Sequence, residues 1–218
     1  MISIIFLSIG IFLGLALCIY PLIICKNDGF NILNCFPFEG SKTILERYIV
    51  CGLSIFFSIF SVIGIVSSLS SVNYVSMISA DIFYTISCIG LIGMFFFRFD
   101  NYKSHLITTI MFFLGIIGGN ISSFACYIIA SMSNIPFEIN NVICYILLVI
   151  GIIQIGGILF SQLNKWMYLE KAEENGKVVY VRPKRNPLAI LEWSNIFILI
   201  GVEVLFLLNS ILLFTTNL

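Results

Sequence analysis

The chain has 218 residues, of which 60% are hydrophobic and only 10% are charged, and its mean hydropathy is +1.09. This composition leaves too little polar surface to cover a soluble globular protein, so it indicates an integral membrane protein. The 11 basic and 11 acidic residues give a formal net charge of zero, so bulk attraction to nucleic acid is not expected.

Six apolar runs are each long enough to cross a hydrocarbon core of about 30 Å as a helix of about 20 residues. They lie at 3–25, 48–69, 77–97, 106–130, 141–163 and 190–214. The runs are too long and too evenly apolar for barrel strands, which alternate over about ten residues. The predicted fold is therefore all-α, a polytopic bundle of six transmembrane helices in a single domain over 1–218. The first run exceeds a signal-peptide core of about 7–15 residues, and we interpret it as a retained span.

The first loop contains the stretch "NCFPFEGSKTILERY", in which Glu39 and Glu46 are seven positions apart. Glu46 begins the second span, where the helix dipole favours a carboxylate, so capping is its simplest role. Cys25 and Cys35 bracket the loop and are a candidate disulfide if the loop faces an oxidising compartment. The remaining cysteines lie inside or at the ends of spans, where they are expected to be small buried hydrophobes.

The third loop is a polar island in the stretch "FFFRFDNYKSHLITTIMFF", where Arg98, Asp100, Lys103 and His105 lie between apolar runs. His105 begins the fourth span and could be an interfacial anchor or a general base. Because it is the only histidine, one chain cannot form a multi-histidine metal site, and no CxxC or HExxH motif occurs. The sequence indicates no metal and no cofactor.

Three acidic residues lie within spans, where ionisable groups are costly and therefore candidates for function: Asp81, Glu192 and Glu203. At about 100° per residue, the step from Glu192 to Glu203 returns to within about 20° of the same direction, so both share one helix face. Glu203 could be hydrogen-bonded to a neighbour such as Gln154 or Asn120 and fasten helices together. Alternatively, it could lie on a proton or substrate path.

Glycines in three spans predict close helix packing. They are Gly90, Gly93, Gly115, Gly118, Gly119, Gly151, Gly156 and Gly157. In the fifth loop, "EENGKVVYV" places an Asn-Gly pair before a β-branched run, which predicts a small hairpin or turn.

All 11 basic residues lie in or flank the first, third and fifth loops. By the positive-inside rule these odd-numbered loops would be cytoplasmic and both termini exoplasmic.

Three of these regions together resemble the Frag/DRAM/Sfk family, six-span proteins that include damage-regulated autophagy modulators and factors that remodel GPI-anchor lipids. Family members have two acidic residues around a Gly/Ser/Thr-rich turn before span two, as do Glu39 and Glu46 in "FEGSKTILER". A polar junction ending in His precedes an aromatic-rich span four, as His105 does in "FRFDNYKSHLITTIMFF". Span six opens on an acidic-aromatic pair, here Glu192 and Trp193 in "LAILEWSNIFIL".

The chain departs from the family pattern at Ile44 and Leu45, where prolines are usual, and at Leu106 and Ile107, where small residues are usual. The resemblance implies cytoplasmic termini with the odd loops in the lumen or outside, which is opposite to the charge rule. It also implies an endomembrane (ER, Golgi or lysosome) or the plasma membrane of a eukaryote.

The function that the resemblance implies is a lipid-associated role in GPI-anchor remodelling, phospholipid organisation or autophagy, with membrane lipid and other membrane proteins as partners. The candidate polar or lipid head-group site then lies at one end of the bundle and comprises Glu39, Glu46, Asp100, His105, Glu192 and Trp193.

Two alternatives stay open. The first is an intramembrane lipid-modifying enzyme in which His105 acts as a base and Glu39 or Glu46 orients it, with Ser41 and Ser104 as candidate nucleophiles. The second is a small proton-coupled transporter that uses Glu203.

Overall fold

Six long helices account for most of the described chain. The computed structural model describes residues 1–24, 31–33, 35–41, 43–69, 77–97, 102–132, 138–163, 170–174, 177–181 and 186–216. The helices are α1 (Ile2–Ile24), α2 (Ile44–Leu69), α3 (Met77–Phe96), α4 (Tyr102–Met132), α5 (Glu138–Leu163) and α6 (Pro187–Thr216). The predicted all-α polytopic bundle is confirmed, with each helix at the predicted place along the chain.

Among the described residues, five helices are long and apolar enough to cross a membrane, namely α1, α2, α3, α4 and α6. In α5, a helix of 26 residues, the apolar stretch found among the described residues is shorter, Tyr145–Leu159. The chain is therefore an integral, multi-pass membrane protein.

Four helices (α2, α4, α5 and α6) begin three or four residues earlier than the apolar pattern predicts. At α2 and α6 the reason is visible, because polar capping residues add a turn before the apolar run. The Thr43 backbone N–H donates to the Glu46 carboxylate at 3.0 Å, and the Glu46 N–H donates to the Thr43 hydroxyl at 3.2 Å. This reciprocal pair is a capping box, and it starts α2 at Ile44 instead of 48. At α6 the Asn186 side chain accepts the Leu188 N–H at 3.1 Å. Pro187 follows at the first helical position, which suits its fixed φ.

Helices that follow one another in sequence are neighbours in the bundle, and α6 returns to pack against α1. The most extensive contact joins α3 and α4. It depends on glycines: a Cβ added at Gly90 would lie 2.4 Å from the Phe112 backbone nitrogen, and one at Gly115 would lie 2.5 Å from the Ser87 nitrogen. The prediction that glycines permit close packing is therefore confirmed for this pair of helices.

The same prediction is wrong for most of α5. A Cβ at Gly156 would meet nothing within 4 Å, and one at Gly151 would make an ordinary contact at 3.6 Å. Only Gly157 faces a tight neighbour, the Leu191 side chain at 3.2 Å. Small residues alone do not determine which face of a helix meets a partner, so the glycine spacing could not distinguish α5 from α4.

A short hairpin precedes α6. Strand β1 (Glu170–Glu174) pairs in antiparallel register with β2 (Lys177–Val181), and Glu174 faces Lys177. The predicted hairpin is confirmed, although the Asn-Gly pair at 175–176 lies outside the described residues.

Candidate functional site

The described part of the first loop folds into a small cap at one end of the bundle. We call residues 35–41 the first-loop cap; its centre is a single 3₁₀ turn, Pro37–Gly40. The Phe36 backbone N–H donates to the Glu39 carboxylate at 2.8 Å, which closes the turn. The rings of Phe36 and Phe38 are buried, with 2% and 5% of their surface exposed. The cap therefore packs inward against the helices instead of extending into solvent.

Beneath the cap lies a histidine–carboxylate pair that joins α4 to α6. His105 Nε2 is 3.2 Å from Glu192 Oε1, although the two residues are 87 positions apart in the chain. Both side chains are almost inaccessible, with 1% and 0% of their surface exposed. A buried polar pair of this kind is stable only when its groups satisfy each other, so each residue fixes the position of the other.

The second ring nitrogen of His105 is also engaged, because Nδ1 is 3.0 Å from the Phe97 carbonyl oxygen at the end of α3. A carbonyl can only accept, so Nδ1 must carry a hydrogen. The contact between Nε2 and the Glu192 oxygen then requires one further proton, carried by either the imidazole or the carboxyl group. The pair thus holds one shared proton and has no net charge in either arrangement.

Thr109, one turn further along α4, also contacts Glu192. Its hydroxyl donates to Glu192 Oε1 at 3.3 Å, so this oxygen contacts two groups of the same helix. The other oxygen, Glu192 Oε2, is buried and has no hydrogen-bond partner among the described residues. Residues at i and i+4 share a helix face, so Thr109 was predictable as a member of the site once His105 was identified as a candidate.

The first-loop cap covers the pair with aromatic rings. The Phe38 ring lies 4.9 Å from the imidazole, edge to face, and the Phe36 ring lies 6.2 Å away in a similar orientation. Next to Glu192, the Trp193 indole N–H donates to the Cys35 carbonyl oxygen at 2.9 Å. Both residues of the acidic-aromatic pair therefore hold the cap. Trp193 bonds to it directly, and Glu192 positions the His105 ring on which Phe38 packs.

The predicted site is thus brought together in part. His105, Glu192 and Trp193 converge with the first-loop cap, whereas the Glu46 carboxylate caps α2 as its position predicts. Glu39 belongs to the cap, where its carboxylate accepts the Phe36 N–H. Asp100 and Cys25 lie outside the described residues, so the candidate disulfide with Cys35 stays a prediction.

Glu203 lies deeper in the bundle and is fully buried. Neither of its carboxyl oxygens has a hydrogen-bond partner among the described residues. A Cβ on Gly10 of α1 would lie 2.8 Å from Glu203 Oε2, so the glycine provides the space that the carboxyl group occupies. The Ser61 hydroxyl lies near the Glu203 carboxyl group, but its only hydrogen is donated to the Phe57 carbonyl oxygen at 2.7 Å, so it is not a donor to Glu203.

The two suggested partners of Glu203 belong to a different network. The Tyr84 hydroxyl donates to Asn120 at 2.8 Å, the Asn120 amide to Gln154 at 3.0 Å, and the Gln154 amide to Asn195 at 2.7 Å. We call these four residues the polar rung; it crosses α3, α4, α5 and α6 in sequence. In α3, Asp81 is half-buried, and its Oδ1 has no partner among the described residues.

Over the part of the chain that the structure describes, no three His, Cys, Asp or Glu side chains are grouped so that they could hold a metal ion. Comparison with known proteins found no matching family model, no matching curated protein and no matching solved structure.

Proposed function

We propose that this chain is a lipid-associated multi-pass membrane factor of the Frag/DRAM/Sfk type, acting through the end of the bundle that carries the first-loop cap. The observation that supports it is a convergence of distant segments. The cap, His105 and the pair Glu192–Trp193 belong to the three short regions on which the resemblance depends, and they contact one another. The Trp193 and Cys35 partners are 158 positions apart.

Under this proposal the partner is a membrane lipid in an endomembrane or the plasma membrane. The three roles implied by the resemblance are GPI-anchor remodelling, phospholipid organisation and autophagy, and the first two act directly on lipids. Because His105 and Glu192 are buried, they do not contact the lipid directly. They hold the first-loop cap in position, and the surface of the cap contacts the lipid.

The alternative in which His105 acts as a general base is less favoured. Both ring nitrogens are already engaged, with the Phe97 carbonyl and with Glu192. A base must lie within hydrogen-bond reach of the proton that it removes, so catalysis would require His105 to lose one of these partners and emerge from under Phe38. The observed contacts favour a positioning role.

The experiment is to purify the protein in mild detergent and measure the co-purified phospholipid by mass spectrometry. Glu192→Ala removes the acceptor shared by His105 and Thr109, and we expect this variant to lose most of the bound lipid. Glu203→Ala is the matched control, because it removes the same group from the same helix at another fully buried position. Circular dichroism and thermal denaturation check that both variants are folded.

Removal of one member of a buried pair costs about 3–5 kcal/mol, so Glu192→Ala could fail to fold. Thr109→Val then serves instead, because it removes a single hydrogen bond and keeps the shape of the side chain. Equal lipid retention by the wild type, by Glu192→Ala (or Thr109→Val in its place) and by the Glu203→Ala control would contradict the proposed site. A wild type with no bound lipid would contradict the function itself.

A second candidate, a proton-coupled carrier, is favoured by the unpartnered carboxyl group of Glu203. An ionised carboxylate without donors is very costly in a low-dielectric interior, so Glu203 is held neutral and changes charge only when water or a cation reaches it. The test is proton flux into vesicles loaded with a pH-sensitive dye, with Glu203→Gln against the wild type. Flux that is equal in both, or absent from the wild type, would eliminate this candidate.

A further inference from the structure

A cavity lies next to the first-loop cap, between the beginning of α2 and the end of α3. Its volume is ≈ 210 Å³, and Phe38, Arg47, Tyr48 and Phe95 are among the residues that line it. Pockets that enclose a drug-sized ligand usually measure about 300–1,000 Å³. This cavity is therefore large enough for the head of a lipid but too small for a whole lipid molecule.

Arg47 gives the cavity its chemistry. Among the described residues that line the cavity, it alone carries a charge at neutral pH. Its Nε atom is buried and has no hydrogen-bond partner in the described part of the chain. A buried donor on a permanently charged group is costly to leave unpaired. An anionic oxygen is the partner that the geometry of a guanidinium group fits best, and phosphate can accept two of its hydrogen bonds.

The rim of the cavity is apolar and faces outward. Ile44, Tyr48 and Phe96 all line it and have 69%, 73% and 69% of their surface exposed. Side chains this exposed on a membrane helix face acyl chains, and aromatic residues are favoured near the membrane interface. A ligand with an anionic head and an apolar tail could pair its head with Arg47 inside the cavity and pack its tail against the apolar rim.

We propose that this cavity binds the phosphate head group of an anionic membrane phospholipid, with the phosphate on the Arg47 guanidinium and the acyl chains along Ile44, Tyr48 and Phe96. This inference rests on the proposed function and names the ligand class and the contact residue for it. It also explains how the buried pair takes part. Phe38 packs on the His105 imidazole and lines the cavity, so the pair positions one wall of the lipid site.

The experiment uses the delipidated full chain in a neutral detergent, titrated with phosphatidic acid or phosphatidylcholine and analysed by native mass spectrometry. We expect phosphatidic acid to bind more tightly. Loss of a charge-assisted hydrogen bond should weaken that binding on the order of tenfold or more in Arg47→Gln. Arg47→Lys keeps the charge and should recover part of the preference. Lys103→Gln is the matched control, since it removes one exposed positive charge at the same end of the bundle and should leave binding unchanged.

The outcomes separate this inference from the proposed function. If both lipids bind equally and Arg47→Gln has no effect, the cavity assignment is overturned while the lipid-associated function survives. If neither lipid binds to the folded wild type, both are overturned. If millimolar inorganic phosphate displaces phosphatidic acid completely, the site recognises free phosphate and the assignment to a membrane lipid is overturned. Melting temperatures within a few degrees of the wild type confirm that each variant is folded.

Discussion

Substitution of Gly90 by alanine should separate the two most closely packed helices. The added Cβ would lie 2.4 Å from the Phe112 nitrogen, 2.7 Å from the Thr108 carbonyl oxygen and 2.8 Å from the Phe112 Cα. All three atoms belong to the backbone of α4, so no side chain can move aside to make room. Ordinary contacts of a Cβ begin at 3.4 Å, so α3 and α4 must separate locally by 3.4 minus 2.4, or 1.0 Å.

Overpacking of this kind costs about 1–3 kcal/mol. Alanine also favours a helix over glycine by roughly 0.5–1 kcal/mol, which partly hides the packing cost. Gly52→Ala is the matched control, because a Cβ at Gly52 meets nothing within 4 Å. The difference between the two variants cancels the helix-propensity contribution and leaves the packing contribution of about 1–3 kcal/mol.

The assay is reversible unfolding of the purified protein in mixed detergent with increasing SDS, followed by circular dichroism. We expect Gly90→Ala to be less stable than the wild type and Gly52→Ala to be equally or more stable. If the two variants differ by less than about 0.5 kcal/mol, α3 and α4 are not in backbone contact at Gly90, and the packing argument is refuted.

Three further predictions concern other parts of the molecule. Asn120→Leu removes two bonds of the polar rung and should destabilise the protein by about 1–2 kcal/mol in the same unfolding assay; an unchanged midpoint would show that the rung contributes nothing. Trp193→Phe removes the indole N–H bonded to the Cys35 carbonyl, so proteolysis of the first loop should become about two- to tenfold faster, and an unchanged rate would show that this bond does not hold the cap. An N-glycosylation acceptor inserted beside Gly176, in a lengthened loop, should be glycosylated if the odd loops face the lumen, as the resemblance implies. Absence of a glycan there, with the same acceptor modified at the C-terminal tail, would instead support the orientation predicted by the charge rule.

The sequence was sufficient for the fold because the signal is local. A run of about 20 apolar residues determines a span without reference to the rest of the chain, and each predicted span is a helix. The errors at helix starts are also local, since Thr43 with Glu46 form a capping box that hydropathy alone does not register. The starts of α2 and α6 were therefore predictable from the capping residues that precede them, Thr43 and Asn186.

The candidate site was predictable only in part, because it depends on pairings between distant segments. His105 and Glu192 were both identified, but their pairing requires that α4 meets α6 at that height, which no local pattern gives. The same limit explains why the partners suggested for Glu203 were wrong, since Asn120 and Gln154 were plausible only because they are polar. These two amides instead bond to each other. Arg47 was counted only as a loop charge, and nothing near it in the sequence shows that its Nε is buried beside a cavity.

The polar rung also bears on how the protein is made. Spans enter the membrane from the N-terminus, so α3 and α4 are present before the helices that carry Gln154 and Asn195. Until then the Asn120 amide lacks its α5 partner, and an unsatisfied polar group in hydrocarbon costs several kcal/mol. The four-span intermediate therefore has an Asn120 amide without its partner, and the five-span intermediate has a Gln154 amide without its partner. The polar rung is complete only when α6 has entered, so insertion of the last helix is the step that satisfies the whole chain of hydrogen bonds.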